Sequence, residues 1–396
     1  MLSGSFVLKR FTFFMPTIAS SPLINTAQSK IRYLDYTRVL LTILVILHHV
    51  CITYGAPGGW YYRQPATQAW AQFGLTLFVA TNQSFFMGLF FLLSAYFVGP
   101  SFQRKGMTAF VQNRLKRLGI PLVFYSLILS PILNFLVYRY GQHQRATFWQ
   151  FLTGYDDWID FGVLWFVAAL LVFSLIYVVL RQRYSLHYSV KLPSMSGVLL
   201  FAIAVGLVSF LVRLVFPIGW VLPLLGFQLS YFPQYIAFFA IGVLAHQNKW
   251  FDQLSIREGK RFGWLALVFV GIGFPLLLAI ATKLQLSIVN FSGGWNWQSL
   301  LLCLWEQLTG LSISVALLSY SKYNWDIHSD FWDKLARGAY GTYILHPLTI
   351  ISLSLLFAEV PLDPLLKLMI VAPLAVISSF LLGRLALKIP GADTVL

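Results

Sequence analysis

Residues 34–49 read LDYTRVLLTILVILHH. From Val39 to about residue 56 the run stays apolar except for two adjacent histidines. At 1.5 Å per residue that length approaches the hydrocarbon thickness of a bilayer, about 30 Å. The apolar positions are continuous and do not alternate with polar ones, and lipid offers backbone groups no hydrogen-bond partners, so the segment reads as a helix and not a barrel strand. Runs of the same kind recur at about residues 75–98, 118–138, 161–180, 196–216, 229–247, 262–282, 299–320, 339–357 and 365–387. With 58% apolar residues, 10% charged residues and a mean hydropathy of +0.73, the chain falls in the membrane class, and no soluble domain fits between the runs. The expected fold is all-α, a polytopic membrane protein of about ten transmembrane helices.

The formal net charge of +15 raises nucleic acid as a partner, and the placement of the charges decides against it. Ten spans return both termini to one side. Of the 28 lysines and arginines, all but Arg63, Arg139, Arg145, Arg213, Lys283 and Lys367 fall on that side or at its span ends. By the positive-inside rule both termini are expected in the cytosol, and the excess charge is topological. Residues 1–30 hold Lys9 and Arg10 before a short apolar stretch broken by Pro16, too broken to be read as a signal peptide; they are expected to be a disordered cytosolic tail. Residues 31–390 read as one transmembrane domain without internal repeats. Cys51 and Cys303 lie within or at the edge of apolar spans and read as packing residues.

Ionisable groups inside hydrocarbon cost roughly 2.5 to 3.5 kcal/mol each, which makes the few that occur there functional candidates. His49 follows Arg38 by eleven residues, a rise of about 16 Å, and is expected near the bilayer midplane as a general base or acyl carrier. The alternative is that His48 or His49 bonds a neighbouring carbonyl in the bundle. Arg38 lies three residues from Asp35, on the same helical face, where the carboxylate can orient it. Arg114 and Arg117, in NRLKRLGIP, lie side by side at the start of the third span, a fork that suits phosphate or a pair of positive-inside markers. Glu306 is the clearest carboxylate inside a span and requires a partner such as Arg38, His49 or Arg213. Arg213, near the outer end of its span, has the alternative of snorkelling to the surface. His346 precedes the helix-bending Pro347. The outer loop from Arg139 to Asp160 carries mixed charge, suited to a polar acceptor or to solvent.

Arg38 and His49 stand in an Arg-x10-His arrangement within LDYTRVLLTILVILHH that resembles the opening signature of the membrane acyltransferase family 3. FFMGLFFLLSAYFVGPSFQRKGMTAFVQNRLKRLGIPL is similar to that family's second helix, inner loop and Arg-x-x-Arg element, here Arg114 and Arg117. The resemblance continues through VLWFVAALLVFSLIY and ends at GAYGTYILHPL, which looks like a Tyr-x-x-His pattern of a late helix. Ala95 stands in SAY where family members often carry glycine.

The resemblance implies a multi-pass protein of the bacterial inner membrane that transfers an acetyl, succinyl or similar group from cytosolic acyl-CoA to a hydroxyl of an extracytoplasmic or membrane-linked acceptor, commonly a glycan. One subgroup acts on periplasmic glucans and, like this chain, lacks an appended esterase-like domain. By that analogy His49 is catalytic and Arg38, with Arg114 and Arg117, supports the donor; Asp35, beside Arg38, and Glu306, inside its span, are counted with the catalytic residues from their positions alone. Arg114, Arg117 and Lys105 would hold the acyl-CoA phosphates at the inner mouth of a cavity reaching His49, and His346 and Arg213 would contact acceptor. Acyl-CoA is expected as a co-substrate, with no metal and no tightly bound cofactor; the bilayer is the expected surrounding and nucleic acid is not a partner. The competing reading is a secondary transporter of a small solute, which would show pseudo-symmetric halves that the charge and Gly/Pro pattern lacks.

Overall fold

The computed structural model describes residues 31–396 apart from Thr67 and residues 185–187, so the expected cytosolic tail at residues 1–30 lies outside the described residues. Among the described residues, ten helical units are long and apolar enough to cross a membrane: α1 (Arg32–Thr53), α2 (Ala69–Lys105), α3 (Met107–Gly141), α4 (Gly162–Arg183), α5 (Met195–Arg213), α6 (Leu229–Gln247), α7 (Ile256–Lys283), α8 (Trp297–Asn324), α9 (Asp330–Leu356) and α10 (Pro364–Ala386). Among the described residues there is no strand, only an isolated bridge between Leu222 and Phe227. Every expected span is present, and the chain is a multi-pass all-α membrane protein.

Several helices run past the expected apolar windows, because lysines and arginines continue a helix into the interface without difficulty. α1 begins at Arg32, and α8 and α9 are separated only by residues 325–329. α3 is interrupted by wide π turns at Leu115–Gly119, Tyr125–Leu129 and Val137–Gly141, with Pro121 and Pro131 opening the turns that follow the first two. Proline removes a backbone donor and crowds the preceding turn, and a widened turn relieves both.

α1 is the central element. It packs on α9, α8, α10 and α2. Val39, Ile46, Val50 and Tyr54 form one core with Ile350 of α9 and Val371 and Ala375 of α10. α7 lies at the rim, and exposed Trp264, Leu267, Ile272 and Leu276 give it a lipid-facing surface.

α2 is broken at Ser84–Phe85, between Ala69–Gln83 and Phe86–Tyr96. The freed Ser84 carbonyl accepts from Gln234 Nε2 of α6 at 2.6 Å, and the same amide donates to Gln307 Oε1 of α8 at 3.0 Å. Gly310 of α8 makes that approach possible, since any Cβ there would collide with the Ser84 carbonyl. The break thus locks α2, α6 and α8 together beneath a large cavity. At the other side of α1, Gly383 of α10 lies so close to Thr342 of α9 that a side chain would not fit, the close packing that small residues permit between membrane helices.

Candidate active site

A cavity of about 840 Å³ is walled by α1, α2, α6, α7 and α8, with α4 and α9 contributing Trp165 and Tyr343, and its rim is built from the loops after α1, α3, α5 and α7, represented by Gly58, Asp160, Gly219 and Phe291. All four loops lie at the end of the bundle opposite the start of α1. His48, His49, Trp60, Tyr231 and Glu306 are among its lining residues.

His49 is four residues from the last residue of α1. It sits about one turn from the end of a helix that begins at Arg32. Its Nδ1 is 3.1 Å from Nε2 of His346 on α9, while Nδ1 of His346 is 2.7 Å from the carbonyl of Tyr343. Pro347 explains the second contact. In an uninterrupted helix the N–H of residue 347 would take the carbonyl of Tyr343, and proline has no N–H. A carbonyl only accepts, so Nδ1 of neutral His346 carries the proton, and its Nε2 accepts from Nδ1–H of His49. The remaining Nε2 of His49 is left with a lone pair.

Trp60, from the loop after α1, stacks on the His49 ring with centroids 4.2 Å apart and planes 17° apart. That loop is pinned: Gln64 N–H donates to the Thr53 carbonyl at 2.7 Å, Gln64 Nε2 donates to the Ala358 carbonyl at 3.1 Å, and Lys367 Nζ donates to both Gln64 Oε1 and the Ala358 carbonyl. His48 points elsewhere, stacked on Phe86 at 4.9 Å. Behind Trp60, the hydroxyls of Tyr61 and Tyr125 are 2.8 Å apart, and burial together with the nearby Asp160 charge holds Tyr61 well above the usual phenol range, so it stays protonated. Asp160 is itself fixed, accepting from Ser130 Oγ and Gly162 N–H at 2.7 Å each.

The basic residues gather at the opposite end of the same helices. Arg38 donates to Asp35 Oδ1 at 2.9 Å and to the Leu93 carbonyl at 3.1 Å, with its guanidinium over the Phe97 ring. Arg38, Arg114 and Arg117 are close enough to repel one another, and Lys105 feels Arg114 and Arg117. Arg117 donates to the carbonyls of Leu396 and Val395, and its own carbonyl accepts from the Tyr340 hydroxyl at 2.8 Å.

The cavity lined by His49 has none of Arg38, Lys105, Arg114 and Arg117 among its lining residues, and the two ends are arranged in levels. α1, α2 and α9 each touch the basic cluster at one level, through Arg38, Leu93 and Tyr340, and the histidine level at another, through His49, Phe86 and His346. Between the two levels Phe90, Phe166 and Tyr343 pack ring to ring, with centroids 5.7 to 6.4 Å apart, and the Tyr343 hydroxyl donates to the Val163 carbonyl. The cavity that His49 lines opens on the far side of this layer.

Glu306 pairs with Arg213 and with neither Arg38 nor His49: Nη2 of Arg213 donates to Oε2 at 2.6 Å. Arg213 is fully buried and does not snorkel, because the loop carrying Gly293 closes over the end of α5 and the Tyr231 ring lies 5.2 Å from its guanidinium. His346, expected to contact acceptor, is fully buried behind His49. The contact of Trp60 with His49 is not among the sequence expectations, because it is made through an irregular loop whose path carries no periodic signal.

The family model described as an acyltransferase domain matches residues 31–384. Glucans biosynthesis protein C of Escherichia coli (strain SMS-3-5 / SECEC) is 30% identical over 156 residues, covering 38% of this chain and 39% of that protein. The protein of the same name from Escherichia coli (strain K12) is 29% identical over the same extents. The match therefore spans well under half the length of these curated relatives. No solved structure matches the chain. With the family model covering nearly all of the ten-helix bundle, its paired histidines and its basic end, the chain belongs to the membrane acyltransferase family 3.

Proposed function

We propose that the protein is an O-acyltransferase of the bacterial inner membrane, with both termini in the cytosol, that moves an acetyl, succinyl or similar group from cytosolic acyl-CoA to a hydroxyl of an extracytoplasmic or membrane-linked glycan. The observation that carries this reading is the hydrogen-bonded chain Tyr343 carbonyl, His346, His49, which leaves Nε2 of His49 free as a base in a cavity large enough for a sugar. The name of the curated relatives supports a glucan as the acceptor.

The two ends of the bundle suit the two substrates. Coenzyme A phosphates engage Arg114 and Arg117, with Lys105 beside them and Arg38 held by Asp35 at the same level. The rise from Arg38 to His49 is about 16 Å, a distance the extended arm of an acyl-CoA covers if it passes the layer of Phe90, Phe166 and Tyr343. At the histidine level, Nε2 of His49 takes the proton of the acceptor hydroxyl as its oxygen attacks the thioester carbonyl. The tetrahedral intermediate collapses with cleavage of the C–S bond, and the leaving thiolate recovers the proton from His49. Nδ1–H of His49 donates to His346 throughout, and the stacked Trp60 ring favours the transient imidazolium.

Purified protein in lipid nanodiscs, supplied with acetyl-CoA or succinyl-CoA and a glucose oligosaccharide, is expected to release free coenzyme A and form an ester detectable by mass spectrometry. His49→Ala should abolish both products while the protein still inserts and melts normally; full turnover by that variant would remove His49 from the reaction. Stabilisation against heat by coenzyme A alone separates this reading from a transporter.

A further inference from the structure

We propose that Glu306, held by Arg213, is the anchor of the acceptor and not a member of the proton-transfer chain: its second carboxylate oxygen accepts hydrogen bonds from hydroxyls of a neutral sugar seated in the outer cavity. The inference rests on the transferase reading for its biological setting, but the site itself stands on separate geometry.

The pair is buried inside the spans, with side chains 0% and 8% exposed. Replacing such a pair by well-packed apolar residues is often neutral or stabilising, so fold stability gives no reason for charge here. Nor does the protein saturate it. Glu306 Oε2 is taken by Arg213, while Oε1 accepts from no described residue and Glu306 lines the cavity. On the guanidinium, Nε and Nη1 are buried without a hydrogen-bond partner among the described residues.

The chemistry of the ligand follows from what surrounds that oxygen. Arg213 already neutralises the carboxylate, so the site offers neither a net negative charge to hold a cation nor an open positive one to hold an anion. What remains is a strong acceptor, and the complementary group is an O–H donor. The cavity is also lined by Tyr231, whose ring lies 5.2 Å from the Arg213 guanidinium, by Phe291 and by Trp60, aromatic groups that suit the C–H faces of a pyranose. One cavity thus holds the carboxylate and Nε2 of His49 together, so that a sugar gripped by one hydroxyl can present another to the base.

Glu306→Gln is a selective test. The amide oxygen still accepts from Arg213, while the group facing the cavity changes from acceptor to donor. Calorimetric titration of the purified full chain with a linear glucose oligosaccharide is expected to show binding by the wild type and a Kd raised about tenfold or more in Glu306→Gln. The double variant Arg213→Met with Glu306→Gln, which leaves no lone buried charge, should lose the same affinity while melting as the wild type does. Binding by Glu306→Gln within a factor of two of the wild type overturns the assignment, as does failure of the wild type to bind at about 10 mM sugar. Glu306-dependent binding in a protein that never releases coenzyme A would uphold this site and remove the transferase reading instead.

Discussion

His49 and His346, 297 residues apart in the chain, meet through one hydrogen bond of 3.1 Å between Nδ1 and Nε2. The bond fixes which nitrogen of His49 holds a proton and which holds a lone pair, and it does so with a partner whose own tautomer is set by a backbone carbonyl. His346 therefore acts through His49 and is a positioning residue.

Its removal should be felt in turnover and not in donor binding. His346→Ala is expected to lower kcat about 100-fold with the KM for acyl-CoA unchanged, because general-base contributions run to about 10²–10⁴ and part survives when only the orienting partner is lost. Steady-state kinetics of coenzyme A release checks this. A rise in KM with kcat intact would assign His346 to substrate binding.

The basic end should behave in the opposite way. Arg114→Ala or Arg117→Ala is expected to weaken coenzyme A binding about tenfold each, with stronger loss at higher salt, since a charge-assisted bond to phosphate is worth about 1.5–3 kcal/mol. Titration of coenzyme A against the His49→Ala protein reads affinity without turnover. Arg114→Lys should recover only part of it, as ammonium cannot match a bidentate fork.

The ring layer between the two ends predicts a separate phenotype. Tyr343→Ala removes the ring that meets both Phe90 and Phe166 and the bond to the Val163 carbonyl. Thioester should then reach water in the outer cavity, and acyl-CoA hydrolysis without any sugar acceptor is expected to rise several-fold. An unchanged hydrolysis rate in a folded variant would show that the layer does not seal the donor side.

The spans were legible because hydrophobic length is a local signal, and so was the pairing of Asp35 with Arg38, three residues apart on one helix. Glu306 announced itself as a carboxylate in hydrocarbon, but its choice of Arg213 over Arg38 or His49 depends on how α5 and α8 pack, which no spacing encodes. The surroundings of Arg38 were only half legible: its guanidinium bonds Asp35 of the same helix and also the Leu93 carbonyl of α2, a contact that spacing along α1 does not encode. The break at Ser84–Phe85 follows the polar stretch Thr81, Asn82, Gln83 and Ser84 in a span without proline, and the contacts of Gln234 and Gly310 that hold it are tertiary and carry no spacing signal.

Gly310 gives a stability prediction free of catalytic argument. A methyl at this position meets the Ser84 carbonyl at a separation no real Cβ contact shows, so Gly310→Ala must push α8 away from the break in α2. A cost of about 1–3 kcal/mol is expected, visible as a lower melting temperature in nanodiscs.

Pro347 makes the sharpest test of how the site is built, because stability and activity should move in opposite directions. In Pro347→Ala the restored N–H can bond the Tyr343 carbonyl, completing the helix turn and relieving the ring clash, a gain of up to about 3 kcal/mol. The same bond competes with Nδ1–H of His346 for that carbonyl, so His346 is no longer held to the tautomer that receives His49. The variant is therefore expected to melt at a higher temperature yet turn over about tenfold more slowly, with coenzyme A affinity unchanged. A variant that gains stability and keeps full turnover would show that the Tyr343 carbonyl does not set the histidine pair.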